Sequence, residues 1–133
     1  MLVDTNIVSY FQKRSPLAAL YEVHLLNQKQ YISFVTVAEL YRWPIERNWG
    51  QAKTDGLKLF LRNCTVLPFD DELARTWAEL FVGMRNKGMP MDWGDCWIAA
   101  SALRHRMPLV THNRRHFENV DGLELISEAV KAE

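Results

Sequence analysis

Cysteine is scarce in this chain, and net charge is absent. There are two cysteines, Cys64 and Cys96. Neither sits in a Cys-x-x-Cys pair or a Cys/His zinc pattern, so a zinc ribbon and a thiol-redox motif are excluded. Each follows or lies within an apolar run, so both read as buried free thiols, which suits a reducing cytosol. Sixteen Lys and Arg balance sixteen Asp and Glu, so bulk charge predicts no polyanion partner. No apolar run is long enough to cross a membrane. The opening Met-Leu-Val-Asp-Thr-Asn carries no basic leader and no apolar stretch of signal-peptide length, so the expectation is a cytoplasmic protein with no membrane partner. Repeats, low-complexity tracts and flexible linkers are missing as well. A length of 133 residues then predicts one domain over 1–133, with a tail that frays over 131–133.

What is present is a globular composition. Hydrophobic residues make up 48%, enough for a core without disulfides or a structural metal. Short apolar runs alternate with longer amphipathic ones. Met1–Val3 is a brief apolar start, and Thr5 is placed to cap a helix carrying Ile7, Val8, Tyr10 and Phe11. Ser15-Pro16 opens a second helix. Tyr31–Val35 is β-prone, and Thr36 begins a helix that Pro44 should interrupt or kink. Ala52–Arg62 is helical and Thr65–Phe69 reads as a strand. Asp70-Asp71-Glu72 caps a long helix that Gly88 closes. A helix over Asp95–Arg106 precedes two last strands, Leu109-Val110 and Leu123–Ile126. Strands separated by helices predict an α/β fold with a parallel sheet under helical cover.

Sites in such sheets form at the carboxyl ends of the strands. Asp4 directly follows the first apolar run. Glu39 falls one helical turn after the second strand, and Asn113 lies just after Leu109-Val110. Asp95 leads the helix before that strand, with Ile98, Ala99 and Ala102 at i+3, i+4 and i+7, the face turned to the core. An acid in line with an apolar face is costly unless capped, paired or metal-bound. Each position also has an ordinary structural explanation. Asp4-Thr5-Asn6 is a strand-to-helix turn, Thr36-x-x-Glu39 matches a capping box, Asp92 or Asp95 can cap a helix, and Asn113 is a turn residue. Together, the carboxylates repel one another unless a divalent cation relieves them. Magnesium or manganese prefers such hard oxygen ligands. One stretch, from Arg104 to Arg115, carries Arg104, His105, Arg106, His112, Arg114 and Arg115 without an acid, and so offers either a local phosphate-binding surface or a solvated helix end.

These residues resemble a PIN domain, specifically the VapC toxins of bacterial and archaeal toxin–antitoxin pairs. Leu2-Val3-Asp4-Thr5-Asn6 resembles the family's opening strand and first catalytic aspartate. Ser33-x-x-Thr36-x-x-Glu39-Leu40 resembles its second motif. Pro90-Met91-Asp92-Trp93-Gly94-Asp95-Cys96-Trp97-Ile98-Ala99-Ala100 resembles the third. Leu109-Val110-Thr111-His112-Asn113, followed by Phe117, resembles the fourth. The resemblance runs from Leu2 to Phe117.

It implies a three-layer α/β/α sandwich around a short parallel sheet, and a magnesium- or manganese-dependent endoribonuclease cutting single-stranded or looped RNA. It also implies a homodimer neutralised by a cognate VapB-like antitoxin, and thus a toxin–antitoxin hetero-oligomer. Asp4, Glu39, Asp95 and Asn113 are then the catalytic set, with Asp4 and Asp95 on the metal and Glu39 on the attacking water. Asn6 and Thr111 would hold the carboxylates in place, and Arg104, Arg114 and Arg115 would guide the RNA backbone. Many relatives carry an acid at the position of Asn113 or of His116; the amide and imidazole here make the site less negative and imply one ion.

Two other readings compete with this one. One is a PIN-like module that holds RNA or a protein without cutting; the other is a metal phosphohydrolase that acts on DNA or another phosphate ester. The many aromatics, among them Trp77, Trp93 and Trp97, are expected in core or interface packing. Trp43-Pro44 and Trp49 are placed to line an apolar groove for an antitoxin segment or a dimer contact.

Overall fold

Leu2 and Val3 are adjacent in sequence and face opposite sides of a sheet, and this alternation organises the molecule. The computed structural model describes residues 1–130, so the tail expected to fray over 131–133 lies outside the described residues. The elements run β1 (Leu2–Val3), α1 (Thr5–Gln12), α2 (Ala18–Leu25), β2 (Tyr31–Ser33), α3 (Phe34–Glu46), α4 (Gln51–Arg62) and β3 (Thr65–Leu67). They continue with α5 (Asp71–Asn86), α6 (Trp93–His105), β4 (Leu109–Val110), α7 (Arg114–Phe117) and β5 (Leu125–Ile126).

Among the described residues the five strands lie in the order β3-β2-β1-β4-β5, and every pairing is parallel. Leu2 pairs with Tyr31 on one side and Leu109 on the other, and Val3 pairs with Val110. On one face Leu2 and Leu109 pack with Cys96, Ile98, Ala99, Ala102 and Phe117 beneath α5 and α6. On the opposite face Val3 and Val110 pack with Ile7, Tyr21, Leu40 and Leu57. The result is the expected α/β/α sandwich. No helix among the described residues is long and apolar enough to cross a membrane.

The strand order fixes where a site can form. The chain builds β1, β2 and β3 outward, then returns across β1 to add β4 and β5. The crevice at the carboxyl ends of β1 and β4 is therefore the topological switch point of the sheet.

Several local expectations are corrected. Thr5 does not cap α1; Asp4 does, its Oδ1 accepting the Thr5 N–H at 2.8 Å. The helix expected from Thr36 begins at Phe34, because the Ser33 hydroxyl accepts the Val35 N–H and ends β2 there. Thr36 is thus buried inside the helix and shares a 2.9 Å hydrogen bond with the Thr5 hydroxyl, so Thr36-x-x-Glu39 is not a capping box. Pro44 does not end α3; it sits in the last turn and the helix continues to Glu46. The strands expected over Tyr31–Val35, Thr65–Phe69 and Leu123–Ile126 are shorter at one end. The helix expected over Asp95–Arg106 starts at Trp93, with Asp92 as its cap. Asp70 caps α5, and Gly88 follows that helix at a positive φ of 75°, as expected. Cys96 is buried, but Cys64 is only half-buried.

Candidate active site

Asp4 stands where the central strand gives way to α1. Its backbone N–H bonds to the Val110 carbonyl at 2.9 Å, which ties it to β4. The residue is 3% exposed. Oδ1 accepts the Thr5 N–H, and Oδ2 accepts the Thr111 hydroxyl at 2.6 Å. The same Thr111 oxygen accepts the Asn113 N–H at 3.0 Å. One threonine after β4 thereby holds the acid after β1 and shapes the loop that carries Asn113.

Glu39 and Asp95 arrive from α3 and α6. A Cβ placed on Gly94 would lie 3.3 Å from Asp92 Oδ2 and 3.4 Å from Glu39 Oε1, so the bare backbone of Gly94 makes room for the Glu39 carboxylate at the start of α6. Asp92 caps that helix by accepting the Gly94 and Asp95 N–H groups. Asp95 is thereby free of capping duty, and its Oδ2 pairs with His116 Nδ1 at 2.9 Å.

The electrostatics register the meeting of these groups. Burial pushes Asp4 up to about 6; the Thr111 and Thr5 hydrogen bonds oppose that rise, Asp95 adds to it, and His116 counters it. Burial also raises Glu39, with further upward contributions from Asp4 and Asp95 against Arg42 and the Thr5 hydroxyl. Burial raises Asp95 as well, while His116 pulls it down and Asp92 pushes it up. Glu39 thus feels the charge of Asp4 and Asp95, and Asp4 that of Asp95, so acids from three parts of the chain meet at one sheet edge.

The donor set is hard oxygen on a partly desolvated, mutually repelling cluster, which is what magnesium or manganese binds. Among the described residues no three His, Cys, Asp or Glu side chains are grouped so as to hold a metal ion. Magnesium requires only one or two direct carboxylates, with water completing the shell, so Asp4 and Asp95 are the carboxylates that could hold such an ion.

Other expected site residues fall differently. Asn113 precedes α7, and its exposed side chain makes no hydrogen bond among the described residues. Asn6 does not brace the carboxylates; both polar atoms of its buried amide are without a partner among the described residues. Arg104 is engaged within the fold. It lies at the far end of α6 from Asp95 and makes a forked contact to Asp70, with Nη2 at 2.8 Å from Oδ2, and a second contact to Glu72. Arg114 is half-buried and donates to the Ser127 carbonyl, which ties α7 to the segment after β5. Arg115 is exposed and lines the same cleft as Asp95 and His116.

Sequence reasoning missed the His116–Asp95 pair, which joins two elements by a contact that no local spacing reports. It also missed Tyr21. The buried Tyr21 hydroxyl is hydrogen-bonded to His112 Nδ1 and accepts the Glu128 N–H at 3.1 Å, fixing the chain beside Thr111. Trp43 and Trp49 are neither core residues nor a bare groove. Each is half-buried, with Lys13 and Arg47 over Trp43 and Lys53 over Trp49. Trp77 stacks on Phe81 and on Trp97, whereas Trp93 is 63% exposed.

A family model described as PIN domain matches residues 1–123. The chain is similar to Ribonuclease VapC2 of Haemophilus influenzae, 31% identical over 122 residues that cover 92% of each chain. It is also similar to the tRNA(fMet)-specific endonuclease VapC of Shigella flexneri, 28% identical over 122 residues and again covering 92% of each. Among solved structures, VapBC2 from Rickettsia felis bound to a DNA fragment from its promoter superposes with a TM-score of 0.82 at 25% identity. That match covers 95% of this chain and 96% of the other.

Proposed function

The chain belongs to the PIN-domain family, among the VapC ribonucleases of toxin–antitoxin pairs, and on that premise we propose a one-metal endoribonuclease whose working residues are Asp4, Glu39, Asp95 and Asn113. The observation that supports the assignment is the convergence of Asp4, Glu39 and Asp95 at the switch point of the sheet, where Asp95 raises the proton affinity of Asp4 and both raise that of Glu39.

Asp4 and Asp95 are the residues to hold a magnesium or manganese ion. When bound, such an ion supplies positive charge to the phosphodiester and promotes ionisation of water. Thr111 keeps the Asp4 carboxylate oriented by donating to Oδ2, leaving that oxygen's remaining lone pair available. Glu39 carries no capping hydrogen bond. Its raised proton affinity suits it to take the proton of the attacking water. The exposed Asn113 amide orients a substrate oxygen, and Arg115 offers charge to the RNA backbone. No covalent intermediate is required of the chain.

The partners follow from the same membership. The Rickettsia felis neighbour is a VapBC complex, and we extend to this chain a cognate VapB-like antitoxin, a homodimer and the hetero-oligomer they form. The Shigella flexneri relative is specific for tRNA(fMet); for this chain the substrate class proposed is single-stranded or looped RNA.

The test is incubation of the purified chain with total RNA, single-stranded DNA and a simple phosphate ester, with magnesium, manganese or chelator. RNA fragments that appear only with metal support the proposal. Cleavage of DNA or the ester with RNA intact would favour another phosphohydrolase, and RNA binding without cleavage at any metal concentration would favour a binding module.

A further inference from the structure

A cleft of about 330 Å³ is lined in part by Asp95. That volume is at the lower end of small-molecule sites, roughly 300–1,000 Å³, and suits a single nucleotide unit. Its lining has two parts. Met84, Met89, Pro90 and Met91, where the chain leaves α5 and approaches α6, supply the apolar part. Met84 and Met91 are buried, and Met89 is 46% exposed. Arg115, His116 and Asn119 supply the polar part together with Asp92 and Asp95.

Each part has a chemical consequence. Thioethers make an apolar, polarisable surface that accepts the face of a flat aromatic group without demanding one shape. Arg115 makes no ion pair among the described residues. It lines the cleft as a cation together with Asp95. The Asn119 amide adds one acceptor and two donors at the rim, the groups needed to read the edge of a base. An apolar slot, a cation and an amide within one cleft match three parts of a nucleotide: base face, phosphate and base edge. The cleft shares Asp95 with the candidate metal site, so the nucleotide it holds adjoins the scissile phosphate.

We propose that this methionine-walled cleft is the base-recognition subsite for one nucleotide of single-stranded RNA immediately flanking the cut. Met89 packs on the base face, Asn119 reads its edge and Arg115 holds its phosphate. The proposal rests on the ribonuclease reading above and adds to it the element that sets cleavage preference.

The test uses the full chain with magnesium or manganese and a pool of single-stranded RNA oligonucleotides randomised on both sides of the cut, with products sequenced. Wild type is expected to show a base preference at one position next to the cut. Asn119→Ala is expected to weaken that preference by about tenfold, the scale of losing one edge-reading contact. Met89→Ala is expected to raise KM by about tenfold with kcat little changed, the signature of lost binding common to ground and transition states. Both residues are surface-exposed, and circular dichroism confirms that the variants are folded. An unchanged preference in Asn119→Ala together with an unchanged KM in Met89→Ala overturns the subsite while leaving the nuclease intact. Failure of wild type to cut the pool with either metal overturns the ribonuclease reading, and the subsite with it.

Discussion

The Thr111 hydroxyl donates to Asp4 Oδ2 at 2.6 Å across 107 residues of sequence. This single contact couples the ends of the two strands that flank the switch point. It also holds down the proton affinity of an acid that burial drives up. Thr111→Val keeps the shape and removes the donor. The Asp4 carboxylate then keeps one hydrogen bond in a buried setting, a loss of about 1.5–3 kcal/mol for a bond to a charged group. Chemical unfolding at pH 8 in chelator should show that loss, metal-dependent cleavage should fall, and Thr111→Ser should restore both.

The proton affinity of Asp4 links activity and stability to pH in opposite senses. Its folded pKa, about 6, lies above the ordinary value of 3.8, so between those values the folded chain binds the proton more tightly than the unfolded chain. This group's contribution to stability therefore falls as pH rises from about 4 to about 6, and the penalty is constant above that window. Glu39 and Asp95 are raised in the same direction. Asp4→Asn should melt higher than wild type in chelator, by a margin that grows from pH 4 to pH 7. At limiting metal, wild-type cleavage should fall as pH drops through about 6, because the proton then competes with the ion for Asp4. A margin independent of pH would contradict the burial of a charged Asp4.

Gly94 separates stability from activity. A methyl there would press on Glu39 Oε1 and Asp92 Oδ2, while a helical alanine gains up to about 1 kcal/mol over glycine. Gly94→Ala is expected to keep or raise the melting temperature and to slow cleavage roughly tenfold, since small misplacements of a catalytic group are costly. Calorimetry and initial rates together check both halves.

Arg104 and Arg115 should behave differently although both belong to the same basic stretch. Arg104 is engaged with Asp70 and Glu72, so Arg104→Gln should lower the melting temperature and leave the cleavage rate unchanged. Arg115→Gln should leave the melting temperature unchanged, raise KM for RNA and reduce the salt dependence of binding. Equal effects of the two on KM would contradict the division.

The contrast between these arginines shows what was legible in the sequence. Asp4, Glu39 and Asp95 could be read because strand ends and helix phase place them, and those are local properties. The sandwich followed from the alternation of short apolar runs with amphipathic ones. Contacts between distant elements could not be read in that way. The partner of Arg104 is 34 residues away, His116 meets Asp95 across the α6–α7 corner, and Tyr21 reaches His112 from α2. Thr36 and Thr5 were misplaced as caps because sequence alone does not distinguish an inward hydroxyl from one that meets a helix end. Ser33 and Asp4 took those duties, and the two threonines paired with each other instead.

The most direct measurement is single-turnover cleavage of an RNA substrate by wild type and Asp4→Asn across a manganese titration. Thr5 and Thr111 stay in place in that variant, and it is expected to remain folded. The account predicts cleavage by wild type that saturates with metal and is abolished in Asp4→Asn at every concentration. Full activity in Asp4→Asn, or wild-type cleavage that persists in chelator, would contradict the metal-holding carboxylate cluster.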